Sequence, residues 1–335
     1  MRRLLTGLAT LAVLTTAGCG VEVRGEGGDD KGKKQGPIQL AVVPKAVGFD
    51  FWESVRKGAE CAAGKHTEVS VKWDGVSQET DVTGQVNLLQ NFITQGADGM
   101  VYAATDAKVL SKVTEAALDK DMAVVNIDSG TDPQPKGVPV MATDNVAAAE
   151  EAADLLADSL GEGDHEIAFL PFQAGTVTND QRAKGFKDGL KKHTNLKLVA
   201  EQSSQSDYNT ALRVTEDILT ANPKLKGIFA ANEPGVLGAA EAVRRAGKTG
   251  KVKIIGWDAA PDELKGVRDG VISALVVQNP FRMGFDGVNA AVSMIRDGKA
   301  VTSADTGVTF VTKDNIDDPK VKAVLKPSCK NPPTS

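Results

Sequence analysis

The sequence predicts an α/β protein built as two doubly wound, Rossmann-like parallel-sheet lobes. Three observations carry this reading. Ten short apolar, β-branched runs alternate with stretches rich in Ala, Leu, Lys and Glu, and strands that alternate with helices signal βαβ crossovers and parallel sheets. Roughly 300 residues follow a polar opening stretch, more than one hydrophobic core usually serves. The positions just past the runs are polar, planar or aromatic, and in open parallel sheets that is where ligands bind.

Taken in order, the predicted strands are Ile38–Val43, Val69–Trp73, Gly99–Tyr102, Ala123–Ile127, Val140–Ala142, Ile167–Leu170, Leu196–Ala200, Gly227–Ala230, Val252–Gly256 and Ala274–Val277. The helices between them begin near Phe51, Asp81, Ala107, Asn145, Thr178, Tyr208, Glu233, Pro261 and Pro280. Two carry their own start signals. Asp144-Asn145 precedes the Ala-rich run to Leu160, and Asp207 precedes Tyr208–Ala221; each offers a side-chain oxygen to free amides at a helix start.

The chain opens with Arg2 and Arg3, an uncharged run from Leu4 to Val13, and small residues up to Cys19. That is the layout of a secretory signal over residues 1–18, and the run is shorter than the about 20 apolar residues of a membrane span. A cysteine straight after Ala17-Gly18 suggests a bacterial lipoprotein, with cleavage before Cys19 and acylation of its thiol. Thr16 stands where leucine is usual, and an ordinary secretory signal with an incidental Cys19 is the alternative. Both place the protein outside the cytoplasm; the first anchors it to the cell membrane. Glu22–Gly36 is Gly-rich, charged and free of aromatics, so residues 19–36 read as a flexible tether.

Composition narrows the function. With 25% charged and 41% hydrophobic residues the chain is an ordinary soluble globular one. Loss of residues 1–18 leaves 37 basic against 44 acidic groups, a net charge of −7. No basic cluster exceeds Lys31–Lys34, which argues against nucleic-acid or anionic-membrane binding. Cys61 and Cys329 remain besides Cys19, and two arrangements stay open for them, a disulfide or two unpaired thiols.

An enzyme finds little support. The first strand runs into Pro44-Lys45-Ala46-Val47-Gly48 rather than a dinucleotide-binding glycine turn, and neither a phosphate-binding P-loop nor a nucleophile elbow occurs. His66, His165 and His193 are scattered, so no metal-ligand spacing arises. No cofactor is expected. A two-lobed transcription regulator would need a DNA-binding helix pair, where residues 1–36 offer a signal and a tether.

The strand-end positions are Lys45 with Phe49, Phe51 and Trp52; Asp128; Asp180, Gln181 and Arg182; Asn232 and Glu233; Trp257 and Asp258; Gln278 and Asn279. Planar carboxylates and amides can each bond two neighbouring hydroxyls of a sugar ring, and flat aromatics cover its C–H faces. Each position alone has a plainer reading as a helix cap, turn former or core residue. Their coincidence on two sheets favours a binding cleft.

From Ile38 to about Thr312 the chain resembles the type I periplasmic binding proteins of sugar ABC transporters, the ribose-binding group. The segments that carry the resemblance are Met141–Leu156, Gly227–Val243, Ile254–Val267 and Ala274–Val288, in that order. Asp128, Asn232, Asp258 and Gln278 match ligand-binding positions of that group, and Phe51 and Trp52 match its sandwiching aromatics. Ser129 and Asp180 stand where the group has arginines, although Arg182 lies two residues on. Ser206 aligns with its second-lobe aromatic, with Tyr208 close by.

The first third is similar instead to autoinducer-2 and rhamnose-binding receptors, through Val43–Trp52, Thr83–Asp98 and Thr176–Gln181. Lys45, Asp128, Asp180 and Gln181 match polar contacts there, while Ala231 and Glu233 replace a characteristic proline and alanine.

The resemblance implies a three-stranded hinge, with crossings near Thr143, near Gln278 or Asn279, and near Val308. The N-terminal lobe is expected over residues 37–143 plus 279–308, and the C-terminal lobe over 144–278 plus 309–335. The expected site is Lys45, Phe51, Trp52, Asp128, Asp180, Gln181, Asn232, Glu233, Asp258 and Gln278. A monomer would close on a small polyhydroxylated ligand and deliver it to an ABC permease in the membrane. Pentose, hexose, deoxyhexose, polyol and autoinducer-2 all stay open as that ligand, with a secreted enzyme on a similar fold the remote alternative.

Overall fold

The computed structural model describes residues 34–330 and 332. The expected signal, Cys19 and the tether up to residue 33 lie outside the described residues.

Strands β1 (Ile38–Val43), β2 (Val69–Trp73), β3 (Gly99–Tyr102), β4 (Ala123–Ile127), β5 (Val140–Ala142) and β11 (Ala304–Asp305) form one sheet in the order β11-β5-β4-β3-β1-β2. Every pairing in it is parallel. Apolar clusters cover both faces, which is why β3 and β4 are buried along their whole length rather than in alternation.

The second sheet runs β12-β10-β9-β8-β6-β7. Its strands are β6 (His165–Leu170), β7 (Leu196–Glu201), β8 (Leu225–Ala230), β9 (Lys253–Trp257), β10 (Ala274–Gln278) and β12 (Val308–Thr312). Only β12 is antiparallel, pairing with β10. The chain passes between the sheets after β5, after β10 and between β11 and β12.

The expected strands agree with β1–β10 to within two residues at each end. Two strands and one helix were not foreseen. β11 is only two residues long, and β12 is a half-buried edge strand in which threonines interrupt the apolar residues. Helix α10 (Pro319–Leu325) is likewise short. The start signals at Asp144 and Asp207 operate as read, accepting bonds from the amides of Ala147 and Thr210.

Helix α1 (Asp50–Ala63) carries the aromatic residues of the first strand end, and its seat is set by α9 (Pro280–Asp297). The two helices approach so closely that a Cβ at Gly58 would collide with the Phe281 carbonyl, and one at Gly284 with that of Val55. Backbone cannot yield as a side-chain tip can, so Gly58→Val is expected to cost about 3 kcal/mol and to tilt α1 away from the cleft. A lowered denaturation midpoint checks the first effect; unchanged stability would mean that the helices separate freely.

Cys61 of α1 is joined to Cys329 by a disulfide, with Cα atoms 5.5 Å apart. Helix α10, just before Cys329, packs on the second sheet's core through Val321, with Val324 and Leu325 beside it. The bridge therefore ties a tail seated on the second lobe to a helix of the first.

Candidate functional site

A narrow cavity of about 20 Å³, room for about one water, lies between the two sheets, lined by Lys45, Phe49, Phe51, Trp52, Glu79, Asp128, Phe172, Arg182, Asn232, Glu233, Pro234, Asp258 and Gln278. That is far below the volume of a small-molecule site, so a ligand fits only if the lobes part. The lobes touch around it. Lys45 Nζ donates to Thr178 Oγ1 at 3.2 Å, and Ser206 Oγ donates to Glu79 Oε2 at 2.6 Å. Further out, Gln173 Nε2 donates to the Thr105 carbonyl at 3.0 Å.

Asp128 and Asp258 close β4 and β9 in the left-handed region, with φ of +56° and +84°. Short polar side chains tolerate that conformation better than bulky ones, and such strain gathers at functional sites. Asp128 forms an ion pair with Lys45 at 2.8 Å and faces Arg182 at 3.8 Å, all three side chains being nearly inaccessible. Asp258 accepts from Gln278 Nε2 at 2.8 Å and from the Glu233 amide at 3.1 Å. Gln278 Oε1 is buried without a hydrogen-bond partner, which leaves an acceptor beside the cavity.

Arg182 is locked by its donors. Its Nε reaches Asn145 Oδ1 at 2.8 Å and its Nη1 the Ala231 carbonyl at 2.7 Å, while its guanidinium lies 4.2 Å from the Trp257 ring centre. Burial lowers its pKa, against the opposing pull of Asp258, Asp128 and Glu79. Lys45 Nζ sits between the rings of Trp52 and Phe172, 5.7 and 5.3 Å from their centres. Trp52 donates through Nε1 to Glu79 at 3.3 Å and meets Phe51 edge-on.

Four carboxylates thus surround two buried cations. Burial pushes Asp258 up to about 6 even with Arg182 nearby, and pushes Glu233 up to about 7. Such a site can accept bonds from hydroxyl donors around a compact ring while Lys45 and Arg182 supply donors of their own.

Eight of the ten residues expected in the site line this cavity: Lys45, Phe51, Trp52, Asp128, Asn232, Glu233, Asp258 and Gln278. Asp180 and Gln181 do not. They border a separate surface groove with Asp106, Asp132 and Lys184. The cause is helical phase. Helix α5 (Val177–Leu190) buries Thr178, Asn179 and Arg182, which leaves positions 180 and 181 on its other face. Arg182 occupies the cavity in their stead.

Sequence reasoning missed Glu79, Phe172 and Thr178. Phe172 follows β6 by two residues, so the strand-end rule itself would have found it. Glu79 lies in a loop without periodicity, and nothing local marks it.

The profile of the periplasmic binding protein domain matches residues 40–300. The chain is 34% identical over 284 residues to the D-allose-binding periplasmic protein of Escherichia coli (strain K12), covering 83% of this chain and 91% of the relative. It is 30% identical over 301 residues to the ribose import binding protein of Bacillus subtilis (strain 168), covering 89% and 95%. Among solved structures, it is similar to an ABC transporter solute-binding protein from Agrobacterium vitis with bound D-fucose. That match has a TM-score of 0.82 and 37% identity, and covers 86% of this chain and 100% of the other. A carbohydrate transporter solute-binding protein from Agrobacterium radiobacter, in complex with D-arabinose, matches with a TM-score of 0.82 and 33% identity over 88% and 100% of the chains.

Proposed function

This chain belongs to the family of periplasmic binding protein domains, and from that premise we propose that it captures a neutral monosaccharide between its lobes for an ABC importer. Its relatives are binding proteins of transport systems rather than enzymes. The observation that carries the reading is the lining itself, in which carboxylates, amides and aromatic rings from both sheets converge on one cavity.

In this reading, ligand enters an open cleft and its bonds to both lobes favour closure, because a ligand shifts an equilibrium only through contacts it makes better in one state. Lys45, Trp52 and Asp128 hold it from the first lobe, and Asn232, Asp258 and Arg182 from the second. The closed monomer then docks on the permease. Lipidation of Cys19 would keep it within reach of that permease; among the described residues no helix is long and apolar enough to cross a membrane. The autoinducer-2 reading is the weaker one, since two of the four positions on which it rests, Asp180 and Gln181, border the other groove.

A thermal-shift screen with D-allose, D-ribose, D-arabinose, D-fucose, D-tagatose and xylitol tests the proposal. A sugar at 100 times its dissociation constant adds about 2.7 kcal/mol of stability, a clear rise in midpoint. A flat response to every neutral sugar would overturn it.

A further inference from the structure

Helix α1 begins without a cap of its own. Phe49 occupies its N-cap position and makes no side-chain capping bond. The first bond inside the helix runs from the Glu53 amide to the Phe49 carbonyl, so the earlier amides need outside acceptors. Glu233 supplies them from the opposite lobe. Its Oε1 accepts from the Asp50 amide at 3.2 Å and its Oε2 from the Phe51 amide at 3.0 Å. Glu233 is itself the first residue of helix α7 (Glu233–Arg245), which is capped normally by Asn232 Oδ1 on the Gly235 amide at 3.1 Å. Its carboxylate is therefore not needed at its own helix start and is spent across the cleft.

We propose that Glu233 is a closure latch, a cap delivered in trans to α1 that forms only when the lobes meet, rather than a group that holds the ligand. The proposal rests on the reading of the protein as a two-lobed binding protein. An acceptor spanning two amides at a helix N-terminus is favoured by the helix dipole, and opening the cleft returns those amides to water. Sugar affinity then depends on a contact that the sugar never touches.

Asp50 on α1, Asp258 at the end of β9 and Glu263 on helix α8 (Pro261–Arg268) surround Glu233, with Lys45 and Arg182 across the cavity. Burial, with repulsion from Asp258 and Asp50, raises the Glu233 carboxyl from 4.5 to about 7, against the lowering pull of the two amide bonds. Both carboxylate oxygens accept, so the cap needs the ionised group, and a proton on either oxygen would remove one of its two bonds.

Hydrogen exchange of the Asp50 and Phe51 amides tests the cap directly, because the first amides of an uncapped helix exchange freely. Protein is compared with Glu233→Ala and Glu233→Gln, without sugar and with 10 mM of whichever sugar raises the midpoint most. Slow exchange at both amides, lost in Glu233→Ala, supports the latch; equal exchange in both proteins overturns it, whether or not a sugar binds. Calorimetry adds the second readout. Wild-type affinity is expected to exceed that of Glu233→Ala by about tenfold, the loss expected for a helix cap. Glu233→Gln keeps one acceptor but turns its NH2 toward the other helix amide, so its affinity should fall between wild type and Glu233→Ala. If sugar affinity falls in Glu233→Ala while the Asp50 and Phe51 amides stay slow to exchange, Glu233 is a ligand contact and the latch is wrong.

Discussion

Asp128→Asn is expected to lower stability by about 3–5 kcal/mol and to abolish sugar binding. The cost comes from what is left behind. The side chains of Lys45 and Asp128 are 4% and 2% exposed and lie 2.8 Å apart, so losing the carboxylate strands a buried ammonium, and breaking such a pair from one side costs about that much. Asparagine keeps the size of the side chain and tolerates the left-handed backbone at this position, so the loss reports charge rather than strain. Arg182, 3.8 Å from the same carboxylate, loses one of its counter-charges too, keeping Asp258 and Glu79. Denaturant midpoints measure the effect. Lys45→Met in the Asp128→Asn background supplies the control, because removing both charges from a buried pair is often close to neutral. Recovery of stability without recovery of binding is the expected pattern; a single variant as stable as wild type would show that water already screens the pair.

The same pair shows how far the site could be read without coordinates. Lys45 and Asp128 follow the ends of β1 and β4, and the rule that ligands gather at the carboxyl ends of parallel strands is a rule of backbone direction. It needs no distances, and ten of the residues that it singles out line the cavity, Phe49 and Arg182 among them. It cannot tell which face of a helix turns inward. Asp180, Gln181 and Arg182 share one strand end; the resemblance to autoinducer-2 receptors favoured the first two, and only Arg182 lines the cavity. Nor can it tell how far a side chain reaches. Glu233 sits at a strand end as expected, but its carboxylate passes the near wall of the cavity and ends on α1. Phase and reach are tertiary quantities, and the periodicity that shows the sheets so plainly does not encode them. The fold itself was more legible because a buried parallel strand is a short, nearly continuous apolar run, whereas β12, half exposed at an edge, has no such signature.

Removing the disulfide is the second large effect. Cys329→Ser is expected to cost about 2–5 kcal/mol, because the bridge closes a loop over nearly the whole folded chain and cross-links over long loops restrict the unfolded ensemble most. The sequence separation is 268 residues, so the chain-entropy account places the effect towards the upper end, around 5 kcal/mol, less any relaxation of the unfolded state. A purely local role predicts a different number. If the bridge only pinned the last residues to α1, its loss would free a short tail, and Val321 and its neighbours would still hold α10 on the second lobe. The global midpoint would then move by less than about 1 kcal/mol, within the range of surface substitutions. Wild type under reducing conditions should match Cys329→Ser, and Cys61→Ser should match both. Three equal, large shifts would show that the tail fastens one lobe to the other through the covalent chain. Its three backbone crossings are then joined by a fourth that depends on the redox state of the compartment, and an extracytoplasmic location is the condition under which that fourth link persists.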